Sequence, residues 1–330
     1  MKTILNRLIN HETISKTEAK LVLINISNGE YNQSQIASFL TVYMMRAITV
    51  EELAGFRDAL LELCLSVDLS DYNTIDLCGT GGDGKNTFNI STLSSFVAAG
   101  AGTRVTKHGN YGVSSVSGSS NVMEYLGVKF SNDVDFLKTC LDKAGICVLH
   151  APLFHPAMKN VAPIRKELGV KTFFNMLGPM VNPSFPKNQL VGVFSLELAR
   201  LYSYLYQETN KNYTILHALD GYDEVSLTGK TKLISNKHEK VLSPLDFGVN
   251  TVKPEAIFGG DSVKESAKIF MRIIRGKGTK AQNNVVAANA GLAIATERNI
   301  DFKEGFLIAK ESLQSGKAKK SLECLIELSK

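Results

Sequence analysis

The sequence has no tryptophan, only 8 prolines and only 5 cysteines in 330 residues. The cysteine number is odd and no Cys-x-x-Cys pair occurs, which argues against a disulfide scaffold and a zinc site and predicts a reduced, intracellular protein. No stretch of about 18 uninterrupted apolar residues occurs, so no membrane span is expected. The first residues lack the apolar run of a signal peptide, and we expect a cytoplasmic protein.

The composition is otherwise that of an ordinary globular protein. Hydrophobic residues make up 44% and charged residues 21% of the chain, which are normal proportions, and the length suggests about two domains. The net charge of +5 suits anionic substrates, although a basic surface without special meaning is the commoner explanation. This charge is weak evidence for nucleic-acid binding, and we expect neither a nucleic acid nor a membrane as partner.

The first 70 residues follow a helical pattern. Ser15 and Glu18 have the spacing of a capping box and precede an apolar run. Apolar residues then recur every three or four positions in a segment that opens at Ser34, and again over residues 51–65. Because no strand pattern interrupts this region, we predict a small all-helical N-terminal domain over residues 1–70.

From residue 74 the pattern changes to apolar runs separated by helical stretches. Strands that alternate with helices predict a larger α/β domain over residues 71–330, with a central, mostly parallel sheet flanked by helices. Shorter, more polar strands near residues 225–243 predict an antiparallel edge, and the chain from Ser262 onward reads as mostly helical. The predicted parallel strands are 74–78, 104–107, 146–149, 190–194 and 213–218.

A glycine-rich loop follows the first predicted strand, with four glycines in the six positions 79–84. Glycines allow positive φ angles and close approach of a ligand, and successive backbone N–H groups form an anion-binding nest. The pattern is neither a Walker loop nor a G-x-G-x-x-G fingerprint. Alone, such a turn is more often structural, but a helix predicted to begin near Ser91-Thr92 adds the positive end of its dipole. Together they predict a phosphate site.

A second polar loop follows the next strand, which ends in Lys107-His108-Gly109-Asn110, and it continues through Ser114, Ser115 and Ser119. A lysine followed by glycine and hydroxyl groups resembles an oxyanion cradle, although a flexible polar loop is the commoner interpretation of this segment alone. The ends of successive parallel strands meet at one sheet edge, where ligands of open α/β sheets bind. We therefore predict that both loops contribute to one site.

These loops, with other segments along the chain, resemble the anthranilate phosphoribosyltransferases, which catalyse the second step of tryptophan biosynthesis. The resemblance covers nearly the whole chain in the expected order, and its motifs are specific together although no single fragment is. The motifs are DLCGTGGDG (76–84), TFNIST (87–92), KHGN (107–110), FHPAMK (154–159), RKELG (165–169), NMLGP (175–179) and DGYDE (220–224).

The resemblance implies a small helical domain, with a further helical contribution from about residues 165–185, and a phosphoribosyl-binding α/β domain with the active site in the cleft between them. It implies a homodimer formed through the helical domain. It also implies transfer of the phosphoribosyl group of phosphoribosyl pyrophosphate (PRPP) to the amine of anthranilate, with release of pyrophosphate. The implied cofactor is Mg²⁺, with two ions per subunit.

The resemblance further assigns roles to individual residues, with no side chain acting as acid or base and Lys107 acting electrostatically. The implied metal ligands are Ser91, Asp223 and Glu224; the implied anthranilate contacts are Gly79, Asn110 and Arg165; and the implied PRPP contacts are Gly79, Gly82, Asp83, Thr87, Asn89, Ile90, Ser91, Thr92, Lys107, His108, Gly109, Asn110, Ser114, Ser115 and Ser119.

The residue types suit this reaction. As pyrophosphate leaves the ribose C1, an oxocarbenium-like state develops and negative charge accumulates on the leaving group, which Mg²⁺, Lys107 and backbone N–H groups can stabilise. Mg²⁺ prefers carboxylates, phosphate oxygens and water, and Asp223-Glu224 supplies the carboxylates. The anthranilate amine is neutral at about pH 7, so positioning can replace a strong base. The planar guanidinium of Arg165 suits the anthranilate carboxylate.

The chain departs from the family pattern at two places. After Lys107-His108-Gly109-Asn110 the family usually has arginine, where this chain has Tyr111. Further on the family usually reads Gly-Ser-Ala-Asp, whereas this chain reads Gly118-Ser119-Ser120-Asn121. Since the tyrosine removes a cation near the predicted substrate site, we expect a change in the affinity for PRPP or anthranilate, or in the choice of acceptor.

Two other functions fit parts of the pattern. A pyrimidine nucleoside phosphorylase of the same fold would use phosphate as nucleophile on a nucleoside, but its glycine loop differs and the Asp223-Glu224 pair would lack a purpose. A relative that binds nucleic acid without catalysis is compatible with the positive charge. Such a relative would be expected to lose the phosphate loop or the metal carboxylates, and its binding should depend steeply on salt.

Overall fold

The structure is a computed structural model that describes residues 1–112 and 116–330, so the predicted contacts Ser114 and Ser115 lie outside the described residues. The chain divides into two compact units, one of residues 1–66 and 151–183 and one of residues 67–150 and 184–330. In the described parts of the chain, we find no helix whose length and apolar character would let it cross a bilayer.

The secondary structure alternates between helices and strands after a purely helical start. The α helices are α1 (Lys2–Ile9), α2 (Lys16–Ser27), α3 (Gln33–Met45), α4 (Val50–Glu62), α5 (Ile90–Gly100), α6 (Ser119–Tyr125), α7 (Val134–Ala144), α8 (Ala151–Phe154), α9 (Ala162–Leu168), α10 (Phe174–Leu177), α11 (Leu196–Gln207), α12 (Val263–Ile274), α13 (Lys280–Arg298), α14 (Phe302–Gln314) and α15 (Lys317–Leu328). The strands are β1 (Thr74–Gly79), β2 (Arg104–Gly109), β3 (Ile146–His150), β4 (Asn188–Gly192), β5 (Asn212–Ala218), β6 (Thr231–Ser235) and β7 (Glu239–Leu242).

Local capping sets where the helices of the first unit begin. The predicted capping box is present in front of α2, where Ser15 and Glu18 each accept a hydrogen bond from the other's backbone N–H group. Helix α3 begins slightly before the predicted Ser34, because Asn32 and Gln35 form a second capping box. The N-terminal residues therefore encode their helices locally.

An aromatic cluster holds this helical unit together. Phe39 and Phe56, from α3 and α4, are fully buried, and Phe56 stacks on Phe173 with 4.4 Å between ring centroids. The buried carboxylate of Glu52 accepts hydrogen bonds from Ile14 N at 3.1 Å and from the Tyr43 hydroxyl at 3.1 Å. Because Phe173 packs in the same core, its segment belongs to this unit, and that segment begins at residue 151.

The second unit is built on a seven-stranded sheet in the order β3-β2-β1-β4-β5-β6-β7. Strands β1 to β5 are parallel, and β6 and β7 add an antiparallel edge, so the predicted strands and the predicted edge are confirmed. Helix α13 is buried continuously from Asn284 to Thr296 and packs against α5 and α14. The carboxyl ends of the five parallel strands consequently share one edge of the sheet.

Candidate active site

The glycine-rich loop leaves β1 at this edge. Gly81, Gly82 and Gly84 have φ angles of +63°, +76° and +73°, a left-handed conformation that side chains with a Cβ atom rarely adopt. The loop returns to the sheet region through Thr87, which forms an isolated bridge with Phe258. The loop therefore adopts the left-handed backbone conformation that its glycines allow, as the glycine pattern predicts.

Two consecutive acidic residues approach this loop from the turn after β5. An Asp223 carboxylate oxygen accepts a hydrogen bond from Gly81 N at 2.7 Å, and a Glu224 carboxylate oxygen accepts one from Ser91 N at 3.0 Å. The sequence pattern predicts an anion site in the loop and at the start of α5, and in the structure a carboxylate of the chain itself occupies one N–H group of each. The carboxylates satisfy them because a helix N-terminus and a glycine nest both favour negative charge.

The acidic turn is held in place by close backbone packing. A Cβ atom on Gly79 would lie 2.4 Å from Asp223 Oδ2, and one on Gly192 would lie 1.5 Å from the Asp223 carbonyl oxygen. The carboxamide of Asn289 accepts from Val225 N at 3.0 Å and donates to Val225 O at 2.9 Å. Sequence reasoning missed Gly192 and Asn289, although a glycine at a strand end and a buried asparagine in α13 are usable signals.

The carboxylates of the acidic turn are electrostatically strained. Burial, followed by the nearby charge of Asp83, raises the pKa of Asp223 to about 7. Burial and then the charge of Asp223 raise the pKa of Glu224 well above its ordinary value. Two neighbouring buried carboxylates cannot both ionise at low cost without a cation. The pair is therefore suited to binding a positively charged ion.

Two buried oxygens near the turn point to the same conclusion. Within the described residues, Glu224 Oε2 and the Thr80 hydroxyl are buried without a hydrogen-bond partner, an arrangement that folded proteins normally avoid. In the same residues, no group of three His, Cys, Asp or Glu side chains forms a ready metal site. A cation held by Glu224 would thus need further oxygen ligands from a bound substrate or water.

Lys107 lies inside the unit and does not point into the glycine loop as a free surface cation. Its side chain is 2% exposed, and its Nζ donates a hydrogen bond to the Leu77 carbonyl oxygen at 2.8 Å. Burial lowers the pKa of Lys107, while the charges of Asp76, Cys78 and Glu224 oppose this shift. Lys107 is therefore a buried residue of β2 whose amino group is bonded to β1.

Several hydrogen bonds between neutral groups hold the described residues of the second loop. The Asn110 carbonyl oxygen accepts from Ser120 N at 3.2 Å and from the Ser119 hydroxyl at 3.4 Å. The Asn121 carboxamide oxygen accepts from two loop N–H groups at 2.9 and 3.0 Å. Asn121 supplies an acceptor without a charge at the position where the family pattern has aspartate.

The structure brings the start of α5 and the second loop together, because the Asn89 carboxamide donates to the Ser117 carbonyl oxygen at 2.9 Å. Ile90 and Thr92 are each 1% exposed, so both are buried in the first turn of α5. His108, on β2, donates its backbone N–H to Asp76 Oδ1 at 3.2 Å.

Arg165 belongs to the helical unit, on α9. Its guanidinium lies 5.2 Å from the centroid of the Phe174 ring, and Nη2 donates to Asn175 Oδ1 at 3.3 Å. Burial lowers the pKa of Arg165, although the group stays charged. Its planar fork is thus held by a ring and an amide, which is the kind of support that carboxylate recognition needs.

The enclosed space at the acidic turn is small. A cavity of about 10 Å³ lies against Asp223 and Glu224, which is too small for a substrate, so the candidate site is the open loop surface. A larger cavity of about 140 Å³ lies at the amino end of β5, beside the β6–β7 hairpin. That cavity contains none of the predicted site residues.

Comparison with protein families gives a match over both units. Residues 71–319 match the glycosyl transferase family, a/b domain, and residues 2–64 match the glycosyl transferase family, helical bundle domain. The helical match covers the part of the chain that forms α1 to α4. The match to the a/b domain covers all seven strands of the sheet.

Individual proteins are similar over the full length. An anthranilate phosphoribosyltransferase from Flavobacterium psychrophilum is 74% identical over 100% of both chains, and one from Cytophaga hutchinsonii is 56% identical over 96% of this chain and 97% of the other. The crystal structure of the Thermus thermophilus enzyme has a TM-score of 0.91 at 32% identity, covering 98% of each chain. The Saccharomyces cerevisiae enzyme in complex with PRPP and Mg has a TM-score of 0.90 at 29% identity, covering 98% of this chain and 96% of the other.

Proposed function

Since this chain belongs to the anthranilate phosphoribosyltransferase family of glycosyl transferases, we propose that it transfers the phosphoribosyl group of PRPP to the amine of anthranilate and releases pyrophosphate. This is the second step of tryptophan biosynthesis. The observation that carries the proposal is the acidic turn itself: Asp223 and Glu224 occupy backbone N–H groups of the glycine loop and of α5. An anion site and a cation site are thus built from the same few atoms.

The residues at the turn fit Mg²⁺. The unpartnered Glu224 Oε2, the Asp223 carboxylate and the Ser91 hydroxyl are all oxygen donors, which Mg²⁺ prefers, and phosphate oxygens and water normally complete its shell. We propose these three residues as the protein ligands, with two ions per subunit. The bound metal would neutralise charge on the diphosphate as it leaves.

The donor site follows from the loop geometry. The N–H groups of Gly81 and of the first turn of α5 point to where the two carboxylates now lie, and we propose that the PRPP phosphates take their place. Asn89 joins the start of α5 to the second loop through Ser117, and Ser119 follows two residues later and donates to Asn110 O. Both side chains would orient the sugar phosphate. Lys107 would stabilise the accumulating negative charge from behind β1, through the field rather than through a contact.

The implied acceptor contacts, Gly79, Asn110 and Arg165, also remain proposals. The Arg165 guanidinium and the Asn110 carboxamide both offer N–H donors to a carboxylate. An aromatic amine is already neutral at about pH 7, so no basic side chain has to remove a proton before attack. Binding and orientation of the two substrates would supply most of the acceleration.

Assembly and location are proposed in the same way. We propose two domains, a helical one and a phosphoribosyl-binding one, a cytoplasmic location, and a homodimer formed through the helical unit. The helical unit exposes the apolar side chains of Ile9, Leu21, Met44 and Met45, at 60%, 55%, 45% and 78%, and burial of such groups would favour association. Light scattering with size-exclusion chromatography should give twice the 36.0 kDa chain mass, and the chain mass alone would contradict the dimer.

The test of the function is loss of anthranilate fluorescence on addition of PRPP and Mg²⁺. We expect turnover that stops when EDTA removes the metal, and an acceptor panel should be run because of Tyr111. Folded protein without turnover at any practical concentration would refute the function. None of the described features favours a nucleoside phosphorylase or a nucleic-acid-binding protein.

A further inference from the structure

The second loop contains a cluster of rings that the proposed reaction does not use. We call it the 111/150 cluster, formed by Tyr111, Ser120, Phe130 and His150. The Tyr111 ring meets the His150 imidazole edge-on, with 4.8 Å between centroids. Phe130 stacks on the same imidazole at 4.4 Å, and the Ser120 hydroxyl lies 2.8 Å from His150 Nδ1. Ring packing and a hydrogen bond together thus fix the position of the His150 imidazole.

His150 is a rigid anchor for the loop. It is the last residue of β3, it is 5% exposed, and it pairs with Gly109 in the sheet. Gly109 immediately precedes Asn110, so the anchor stands beside the point where the second loop leaves β2. Any side chain of the loop that packs on this imidazole is therefore held relative to the sheet.

Tyr111 links this anchor to Asn110. Its backbone N–H donates to the Asn110 carboxamide oxygen at 2.8 Å, and its hydroxyl donates to Glu124 on α6 at 3.2 Å. Because the amide oxygen is engaged, the NH₂ group is the part of the Asn110 carboxamide that is left to meet a ligand. That group is a donor only, so the arrangement selects an anionic or carbonyl acceptor.

We propose that Tyr111 and His150 are positioning residues for the acceptor substrate. The ring contact fixes the backbone of Tyr111, and the backbone N–H of Tyr111 fixes the Asn110 carboxamide with its NH₂ group available to the carboxylate of the acceptor. The inference rests on the proposed function, in which Asn110 binds that carboxylate. Neither residue touches the reacting atoms, and both act through Asn110.

The test compares Tyr111→Ala with Tyr111→Phe by steady-state kinetics in both substrates. The alanine variant loses the ring contact, and we expect its KM for anthranilate to rise about five- to tenfold, the size of an aromatic pair. Its kcat and its KM for PRPP should stay within about twofold of wild type. The phenylalanine variant keeps the ring and should restore the KM for anthranilate to within about twofold.

Tyr204→Ala is the matched control, because Tyr204 is 52% exposed on α11 and should leave all three constants unchanged. A second variant, Ser120→Ala, removes the hydroxyl from His150 Nδ1 and keeps both ring contacts. It should raise the KM for anthranilate about two- to threefold, and it decides the matter if Tyr111→Ala fails to fold.

An unchanged KM for anthranilate in Tyr111→Ala and Ser120→Ala overturns the proposal. So does an equal rise for PRPP, which would indicate general loss of loop structure. Failure of the proposed function is distinguishable, because wild-type protein would then show no turnover in the same assay. Turnover in wild type with no effect at position 111 would reject only the positioning role.

Discussion

The loops after β1 and β2 leave neighbouring strands of one sheet, yet they are held by different forces. The first loop is held by two buried acidic side chains, since Asp223 and Glu224 occupy the N–H groups of Gly81 and Ser91. The second is held by amides, hydroxyls and rings, with Asn121 supplying a neutral acceptor and the exposed Tyr111 hydroxyl donating to Glu124. We infer from this comparison that the first loop must release its carboxylate partners when an anion binds to the same N–H groups, whereas the second loop can keep its hydrogen bonds.

This difference assigns the loops different tasks. The carboxylates of the acidic turn occupy N–H groups to which we assign the PRPP phosphates, so under that proposal phosphate and carboxylate would compete. A cation that attracts the carboxylates would favour the exchange. The second loop would serve as a fixed frame against which the acceptor is placed.

Removing the charged pair should have the largest effect. Asp223→Ala combined with Glu224→Ala deletes two proposed metal ligands, and we expect kcat/KM to fall by at least about 10²–10³-fold, as for other lost electrostatic groups. The assay is anthranilate fluorescence in excess Mg²⁺. Asp135→Asn, at an exposed position on α7, is the control and should be fully active. Activity of the double variant within about threefold of wild type would remove the turn from the site.

Gly192→Ala should have the second-largest effect, because it forces the acidic turn away from the first loop. The new Cβ atom would lie 1.5 Å from the Asp223 carbonyl oxygen, and overpacking of this kind costs about 1–3 kcal/mol. Urea unfolding should show the loss of stability, together with reduced turnover. Gly178→Ala has no atom within 4 Å of its new Cβ and should change little. Equal stability of the two variants would contradict the packing argument.

The pH dependence of stability should show a smaller effect, confined to the charged loop. The pKa of Asp223 is raised to about 7, so its contribution to stability is complete below its ordinary pKa and is lost as pH rises through 7. In EDTA, the Tm of wild type should therefore fall more between about pH 4 and 7 than that of Asp223→Asn, by about 2–4 °C per kcal/mol. An identical pH dependence of Tm in the two proteins would show that the pKa of Asp223 is not raised.

Sequence reasoning succeeded where the signal was local. The capping box at Ser15, the parallel strands and the left-handed glycines at 81, 82 and 84 all depend on residues close in the chain. The start of α3 was misplaced because Ser34 and Asn32 are both good N-caps, and only the Gln35 side chain completes a box with Asn32.

The site could be predicted only as a set of residue types. The contact between Ser91 and Glu224 joins residues 133 positions apart, so no local pattern indicates that the helix N-terminus is already occupied. Lys107 was expected to face a ligand, but β2 is buried along most of its length, and alternation therefore gives no direction for its side chain. Long-range packing decides both points.

Calorimetric titration with pyrophosphate tests the exchange in the first loop most directly. Without metal, Asp223→Ala should bind pyrophosphate more tightly than wild type, because the Gly81 N–H group is vacated, whereas with Mg²⁺ the order should reverse. Asp220→Asn removes a charge from the same turn without freeing that N–H group. Its affinity for pyrophosphate in the absence of metal should therefore exceed that of wild type by much less. Tighter binding by wild type under both conditions would contradict the account.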